Sequence, residues 1–209
     1  MFYLQEKEKA LRFGDVVRGN YLAFLKISSP DSMKKLNVEL EQPEYCTVLS
    51  PCCSIGEKIV SLAPLMLVRK TFFDNPSFKR NLLIINRKML PEQSLSPEEW
   101  GRLSPEERAE RVRVGPAYAF VELFIYDQHD IFPSYAIRPK GGGLIESRYY
   151  MINFKHITKL YCDSLNKSDD FPIDLKCLQL STSARSDLRE KLANYYGRVP
   201  KEDKALEAT

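Results

Sequence analysis

The residues able to do chemistry are few and scattered. Cys52 and Cys53 stand side by side in the turn SPCCSIGE; Cys46, Cys162 and Cys177 lie elsewhere. Zinc ligands sharing one loop are usually two to four residues apart, so that both sulfurs reach one ion. Adjacent thiols miss that spacing, so a metal site would need His156, Cys162 or Cys177 to join Cys52 or Cys53 from afar. A redox pair would want C-x-x-C at a helix start, and that pattern is absent. The simpler reading is a β corner with one thiol turned inward as a small apolar group and its neighbour outward. His129, in YDQHDIF, lies between Asp127 and Asp130. An acid–base dyad or a solvated loop imidazole both fit there. His156, in NFKHITKL, reads as a strand residue on one face.

Cations come in pairs, Arg69-Lys70, Lys79-Arg80 and Arg87-Lys88, with Arg138 and Lys140 further on; Phe72, Phe73 and Phe78 interleave with the first of them. Such a patch can track phosphates. The acidic stretches PEEW and EERAER dilute it, so a mixed solvated surface is the alternative. The glycine run RPKGGGLIES (138–147) lacks the lysine-serine ending and strand-to-helix setting of a phosphate loop and reads as a flexible connection. No cofactor motif is present, and no cofactor is expected.

These groups must be positioned by mostly short strands. LRFGDVVRGNYLAFLKI (11–27) is strand material with a Gly14-Asp15 turn. Residues 28–44, polar with two prolines, read as a loop. Cys46 to Leu49 and Lys58 to Leu62 form two strands around the cysteine turn. From 70 to about 116 the pattern changes. LSPEE occurs twice, at 95–99 and 103–107, and each copy is a helix start: serine cap, proline at the first helical position, glutamates in the first turn. The segment is polar apart from Trp100 and Leu103 and reads as a helical insertion resting on the body of the fold or on a partner. Residues 117–133 return to a strand apolar on both faces, hence covered on both sides. Residues 148–162 form a strand pair or one long bent strand. LSTSARSDLREKLANYYGR (180–198) is a helix with Ala184, Leu188, Leu192 and Tyr195 on one face, capped by Ser181 or Ser183 and closed by Gly197.

Length and composition bound the rest. The chain has 209 residues, 44% hydrophobic and 28% charged, which suits a soluble α+β fold with a core of useful size. A net charge of +3 is far from the footprint of a dedicated nucleic-acid binder. The start MFYLQEKEKALRFGD does not read as a signal peptide, and no apolar run approaches a membrane span. An odd cysteine count then predicts reduced thiols in a cytoplasm.

The order FGDVV (13–17), TVLSP (47–51), a turn and IVSLAPL (59–65), followed late by YYMINFKHITKL (149–160) and a helix from about Ser183, resembles the MazF/PemK family. These are small SH3-like barrels best known as RNA-cutting toxins of toxin–antitoxin pairs. The resemblance covers about half the chain, at both ends, and residues 70–147 have no counterpart in it. It implies an arginine just before the second strand and a hydroxyl after the proline of the third. Alignment of the motifs puts Glu44 and Met66 at those two places. A carboxylate repels a phosphodiester, and a thioether neither donates a proton nor stabilises an oxyanion.

The sequence therefore predicts one domain over 1–209. It is mainly β with helices (α+β): a small SH3-like, MazF-like β-barrel with a helical insertion at about 70–116 and a C-terminal helix. The expected function is a non-catalytic barrel that binds a protein partner, such as an antitoxin, a regulator or an effector subunit, in a bacterial stress-response or phage-defence system. A homodimer is compatible with this, and no membrane is involved. Glu44, Met66, Trp100, Leu103, Phe72 and Phe73 are the candidate partner contacts. The alternative is an active endoribonuclease using Arg18, Arg69, Lys70 or His129. A non-catalytic RNA- or DNA-binding module is the third reading.

Overall fold

The structure, a computed structural model, describes residues 1–18, 22–27, 36–51, 54–55, 59–74, 78, 81–86, 95, 97–113, 120–161 and 176–197. They divide into two compact units. The first is drawn from Met1–Leu65 and Lys155–Thr182, the second from Met66–Phe154 and Ser183–Thr209. Twelve strands and four α-helices are present among the described residues, a mixed α+β chain as the sequence predicts.

The first unit carries a five-stranded antiparallel sheet. Its strands are β1 (Val16–Arg18), β4 (Tyr45–Val48), β5 (Ile59–Pro64), β11 (Thr158–Tyr161) and β12 (Lys176–Leu178), in the order β11-β5-β4-β1-β12. The sheet is open, with β11 and β12 at its edges, and no closed barrel forms among the described residues. A separate hairpin joins β2 (Leu22–Ile27) to β3 (Leu36–Glu41). The sequence predicts a loop through β3, because prolines flank it. The alternation LNVELE suffices for an edge strand once β2 offers a partner. Leu11, Val17, Leu22, Cys46, Val48, Val60 and Leu62 form the core of this unit.

The motif residues have structural work in this sheet. Gly14 takes φ 86, a left-handed conformation open to glycine, which lets its N–H reach the Val48 carbonyl at 2.7 Å. The Asp15 carboxylate Oδ2 accepts the Arg12 N–H at 2.7 Å and pairs with Lys176 Nζ at 2.8 Å, both side chains being buried. Lys176 Nζ also donates to the carbonyls of Glu8 and Ala10 at 3.0 and 2.8 Å. Ser50 closes the β4–β5 corner: its Oγ accepts the Ser61 N–H at 2.6 Å and donates to the Ile59 carbonyl at 3.3 Å.

The second unit is built on a three-stranded sheet in the order β6-β10-β7, from β6 (Met66–Leu67), β7 (Leu123–Tyr126) and β10 (Tyr150–Asn153). All four residues of β7 are buried, as expected for a strand covered on both faces. A hairpin pairs β8 (Tyr135–Ile137) with β9 (Ile145–Ser147), and the glycine run lies at its tip with Gly141 at φ 69. The helices are α1 (Lys70–Asp74), α2 (Pro97–Arg102), α3 (Pro105–Arg113) and α4 (Thr182–Tyr196), with a 3-10 turn over Leu82–Asn86. Ser104 and Glu107 form a reciprocal capping box at the start of α3: the Glu107 N–H donates to Ser104 Oγ at 3.2 Å, and the Ser104 N–H to Glu107 Oε2 at 2.7 Å. Arg108 then donates to the carbonyls of Trp100 and Gly101 at 3.1 and 2.7 Å, satisfying the end of α2.

Phe72, Phe73 and Trp100 are buried in the core of this unit with Phe78, Ile85, Phe120 and Ile125, and Leu103 and Met66 pack against that core. The sequence assigns these five side chains to a partner; packing assigns them to the interior. Apolar residues isolated in a polar segment find their neighbours on strands that come later in the chain, so α1, the 3-10 turn and α2 are integral to their unit. Asn86 extends the sheet without being a strand. Its side-chain amide donates to the Ile125 carbonyl and accepts the Ile125 N–H, both at 2.7 Å, so it satisfies the edge of β7 as a neighbouring strand would.

Candidate functional site

Two arrangements bring sequence-flagged residues together, one in each unit. In the first, Arg18 and Tyr45 are cross-strand partners on β1 and β4. The Arg18 guanidinium donates to the Tyr45 hydroxyl and lies over the tyrosine ring, 4.6 Å from its centroid. The Glu44 carboxylate stands 3.6 Å from the same guanidinium, about half of each side chain being exposed. The bond to Tyr45 raises the Arg18 pKa above its ordinary value, against the lowering effect of burial. Burial raises the Tyr45 hydroxyl above its usual range and the Arg18 contact opposes it, while Glu44 adds to the rise. Cys177 on β12 sits in the same electrostatic neighbourhood. Its thiol is raised first by burial, with Arg18 and Lys7 pulling the other way. A thiol held protonated is not a nucleophile.

Arg18 and Glu44, predicted for opposite roles, thus meet in one cluster. A cation serves phosphate chemistry when its donors are aimed at the anion and held there. Here an anion reaching Arg18 must compete with a carboxylate and a phenol already engaged. Arginine and tyrosine are, by contrast, the residue types that anchor protein contacts.

The second arrangement is a polar cleft of about 500 Å³ in the second unit, lined by Gln128, His129, Asp130, Glu146, Ser147 and Arg148 among others. It lies where the chain leaves β7. The Phe132 N–H donates to the His129 carbonyl at 3.0 Å, and the buried Phe132 ring packs 4.8 Å from Tyr150, which pins the turn to β10. His129 Nδ1 accepts the Ile131 N–H at 3.2 Å, which puts the proton of the neutral imidazole on Nε2. Arg148 pairs with Asp130, and the Arg148 N–H donates to Gln128 Oε1 at 3.3 Å. Ser147 Oγ is engaged by Tyr135 at 3.4 Å and by the Tyr149 N–H at 3.2 Å. The cleft therefore gathers an imidazole, two carboxylates and a guanidinium. It lacks the orienting carboxylate on Nδ1 that a hydrolytic triad uses, because a backbone N–H holds that atom.

The other flagged residues go elsewhere. Arg69 and Lys70 are exposed at the start of α1 and do not line the cleft of His129. His156 is exposed in the turn before β11, where the sequence predicts a strand. Cys52, Cys53 and Cys162 lie outside the described residues. Cys46 is a free, buried thiol whose pKa burial pushes up to about 12. Among the described residues no group of three His, Cys, Asp or Glu side chains could hold a metal ion, and no helix is long and apolar enough to cross a membrane.

Sequence reasoning does not single out Tyr45 or Arg148. The Arg18–Tyr45 pairing comes from the β1–β4 register, and the Arg148–Asp130 pair has no local signal. Comparison of the chain with protein-family models, with curated proteins and with solved structures finds no match in any of the three. The likeness to MazF/PemK proteins rests on the sequence motifs alone.

Proposed function

We propose that this chain is a non-catalytic, partner-binding module of the MazF/PemK-like type, a regulatory or sequestering subunit in a bacterial stress-response or phage-defence system. The observation that carries it is the Arg18–Tyr45–Glu44 cluster. The arginine best placed to replace the missing one is engaged by a tyrosine and faces a carboxylate, an arrangement suited to contact and poorly suited to gripping a phosphodiester. The second expected catalytic position, Met66, packs against the core of its own unit. Free thiols at Cys46 and Cys177 suit a reducing cytoplasm.

The test is incubation of the purified chain with a mixed RNA substrate, which should remain intact. Cleavage that disappears in Arg18→Ala would overturn the proposal. A second reading, an RNA endonuclease, is favoured by the cleft that sets the His129 imidazole near Arg148. Cleavage that disappears in His129→Ala and persists in Arg18→Ala would select it. Retention on RNA that falls steeply with salt, without cleavage, would select a nucleic-acid-binding module.

A further inference from the structure

The β8–β9 hairpin is fastened at its base and bare at its tip. Ile137 is buried in the core of its unit, and Tyr135 packs against that core. The Tyr135 hydroxyl donates to the Tyr149 carbonyl at 2.5 Å and accepts the Val68 N–H at 3.2 Å. The Asp74 carboxylate, at the end of α1, accepts the Lys140 N–H at 2.5 Å. Beyond these anchors Arg138 and residues 140–146 are exposed. Leu144 and Ile145, at the entry to β9, are 62% and 39% exposed. Consecutive residues of an extended segment point to opposite faces, so the tip is apolar on both sides. Among the described residues the Arg138 and Lys140 side chains have no ion-pair partner.

The glycine run is a second, independent observation. Gly141 takes φ 69, which calls for glycine, whereas Gly142 and Gly143 do not take positive φ. A Cβ at Gly143 would meet nothing within 4 Å, and one at Gly142 would meet only Pro139, no nearer than 3.7 Å. Neither their backbone nor the surrounding chain requires glycine there, and glycine costs the fold conformational entropy. A bare backbone at that point serves something that approaches from outside the chain.

A thin tip, apolar on both sides and flanked by unpaired cations, fits a slot with two walls. The two cations are offset by two carboxylates, Asp74 at the tip and Glu146 on β9. A nucleic acid or an anionic bilayer presents one sign of charge throughout and gains little from that balance. A second copy of the same tip is convex and offers no slot. A protein wall can set carboxylates opposite Arg138 and Lys140 alone. We infer that the β8–β9 tip is a docking plug for an apolar slot on a partner protein, with carboxylates on the rim of the slot facing Arg138 and Lys140. Leu144 and Ile145 are the anchors, the cations set orientation, and Gly142 and Gly143 let the slot walls close on the backbone. This rests on reading the chain as a partner-binding module and names the surface of the partner.

The probe is the full chain with photoreactive benzoylphenylalanine in place of Leu144, irradiated in a lysate of the source cells. A second form carries the same group in place of Leu40, an exposed apolar residue of the other unit. The expected result is one protein adduct from position 144 that position 40 does not give. That protein, purified, should bind the unmodified chain, and Leu144→Ser and Arg138→Glu should each weaken the binding by about tenfold. Charge reversal of a rim carboxylate on the partner should recover the binding of Arg138→Glu. Gly143→Ala separates interface from fold: its denaturation midpoint should hold or rise while binding weakens. A midpoint that falls would assign the glycine to the fold and overturn the inference. So would an adduct with nucleic acid, with lipid or with a second copy, equal labelling from position 40, or no adduct. RNA cleavage by the chain would overturn the functional reading and leave the adduct standing. An RNA-inert chain that gives no adduct would overturn the docking plug alone.

Discussion

Among the described residues each unit buries one lysine, and the two are handled differently. In the first, Lys176 is matched by a buried carboxylate, Asp15, and by two backbone carbonyls. In the second, Lys191 on α4 donates to the Ile85 carbonyl at the end of the 3-10 turn, and Glu122 acts on it only through space. Burial dominates there and lowers the Lys191 pKa to about 7, with Glu122 opposing. A full counter-ion makes a buried charge a fastening. A carbonyl alone leaves an ammonium that gives up its proton near neutrality.

That contrast predicts its own largest break. Asp15→Ala strands the Lys176 ammonium in the core and should cost about 3–5 kcal/mol in chemical denaturation, much of which Asp15→Ala/Lys176→Met should restore. If the single variant costs no more than an exposed pair, the fastening is not there.

Lys191 should show itself as a pH effect. Its folded pKa lies below the unfolded value, so between about pH 7 and pH 10.5 the unfolded chain holds a proton that the folded chain lacks. Stability should therefore rise with pH across that window, by an amount on the order of a few kcal/mol, and be flat with respect to this group below it. Lys191→Met should remove that rise; a variant whose stability follows the same pH curve as the parent would refute the assignment. The smallest effect belongs to the half-exposed pair: Arg18→Ala should change stability by no more than about 1 kcal/mol, read from the denaturation midpoint at unchanged slope. A loss approaching that of Asp15→Ala would mean that Arg18 works as a buried group.

What was legible in the sequence is what local chemistry dictates. The doubled LSPEE marks α2 and α3, because a cap, a proline and first-turn acids act within one turn. The Gly14-Asp15 turn, the two strands around 46–62 and the last helix declare themselves in the same way. Strand β12 did not, since three residues, Lys-Cys-Leu, gain their meaning from Asp15 and Val16 at the far end of the chain. Asn86 is equally silent until Ile125 lies beside it. Trp100, Phe72 and Phe73 read as contact residues for want of visible neighbours, and the neighbours came from β7 and β10. Of the candidate sites, Arg18, Glu44 and His129 were visible as residue types. Tyr45 and Arg148 became visible only through register and turn geometry.

The knot of bonds joining residues 2–16 to residues 176–181 also sets an order of events. Tyr3 bridges Leu180, the Leu4 N–H reaches the Gln179 carbonyl, and Val16 pairs with Leu178. On a translating ribosome, β1 therefore waits with one side bare until the Met66–Phe154 part of the second unit has been synthesised. The nascent N-terminal segment is exposed to chaperones, and to mispairing, until residues 176–181 have emerged.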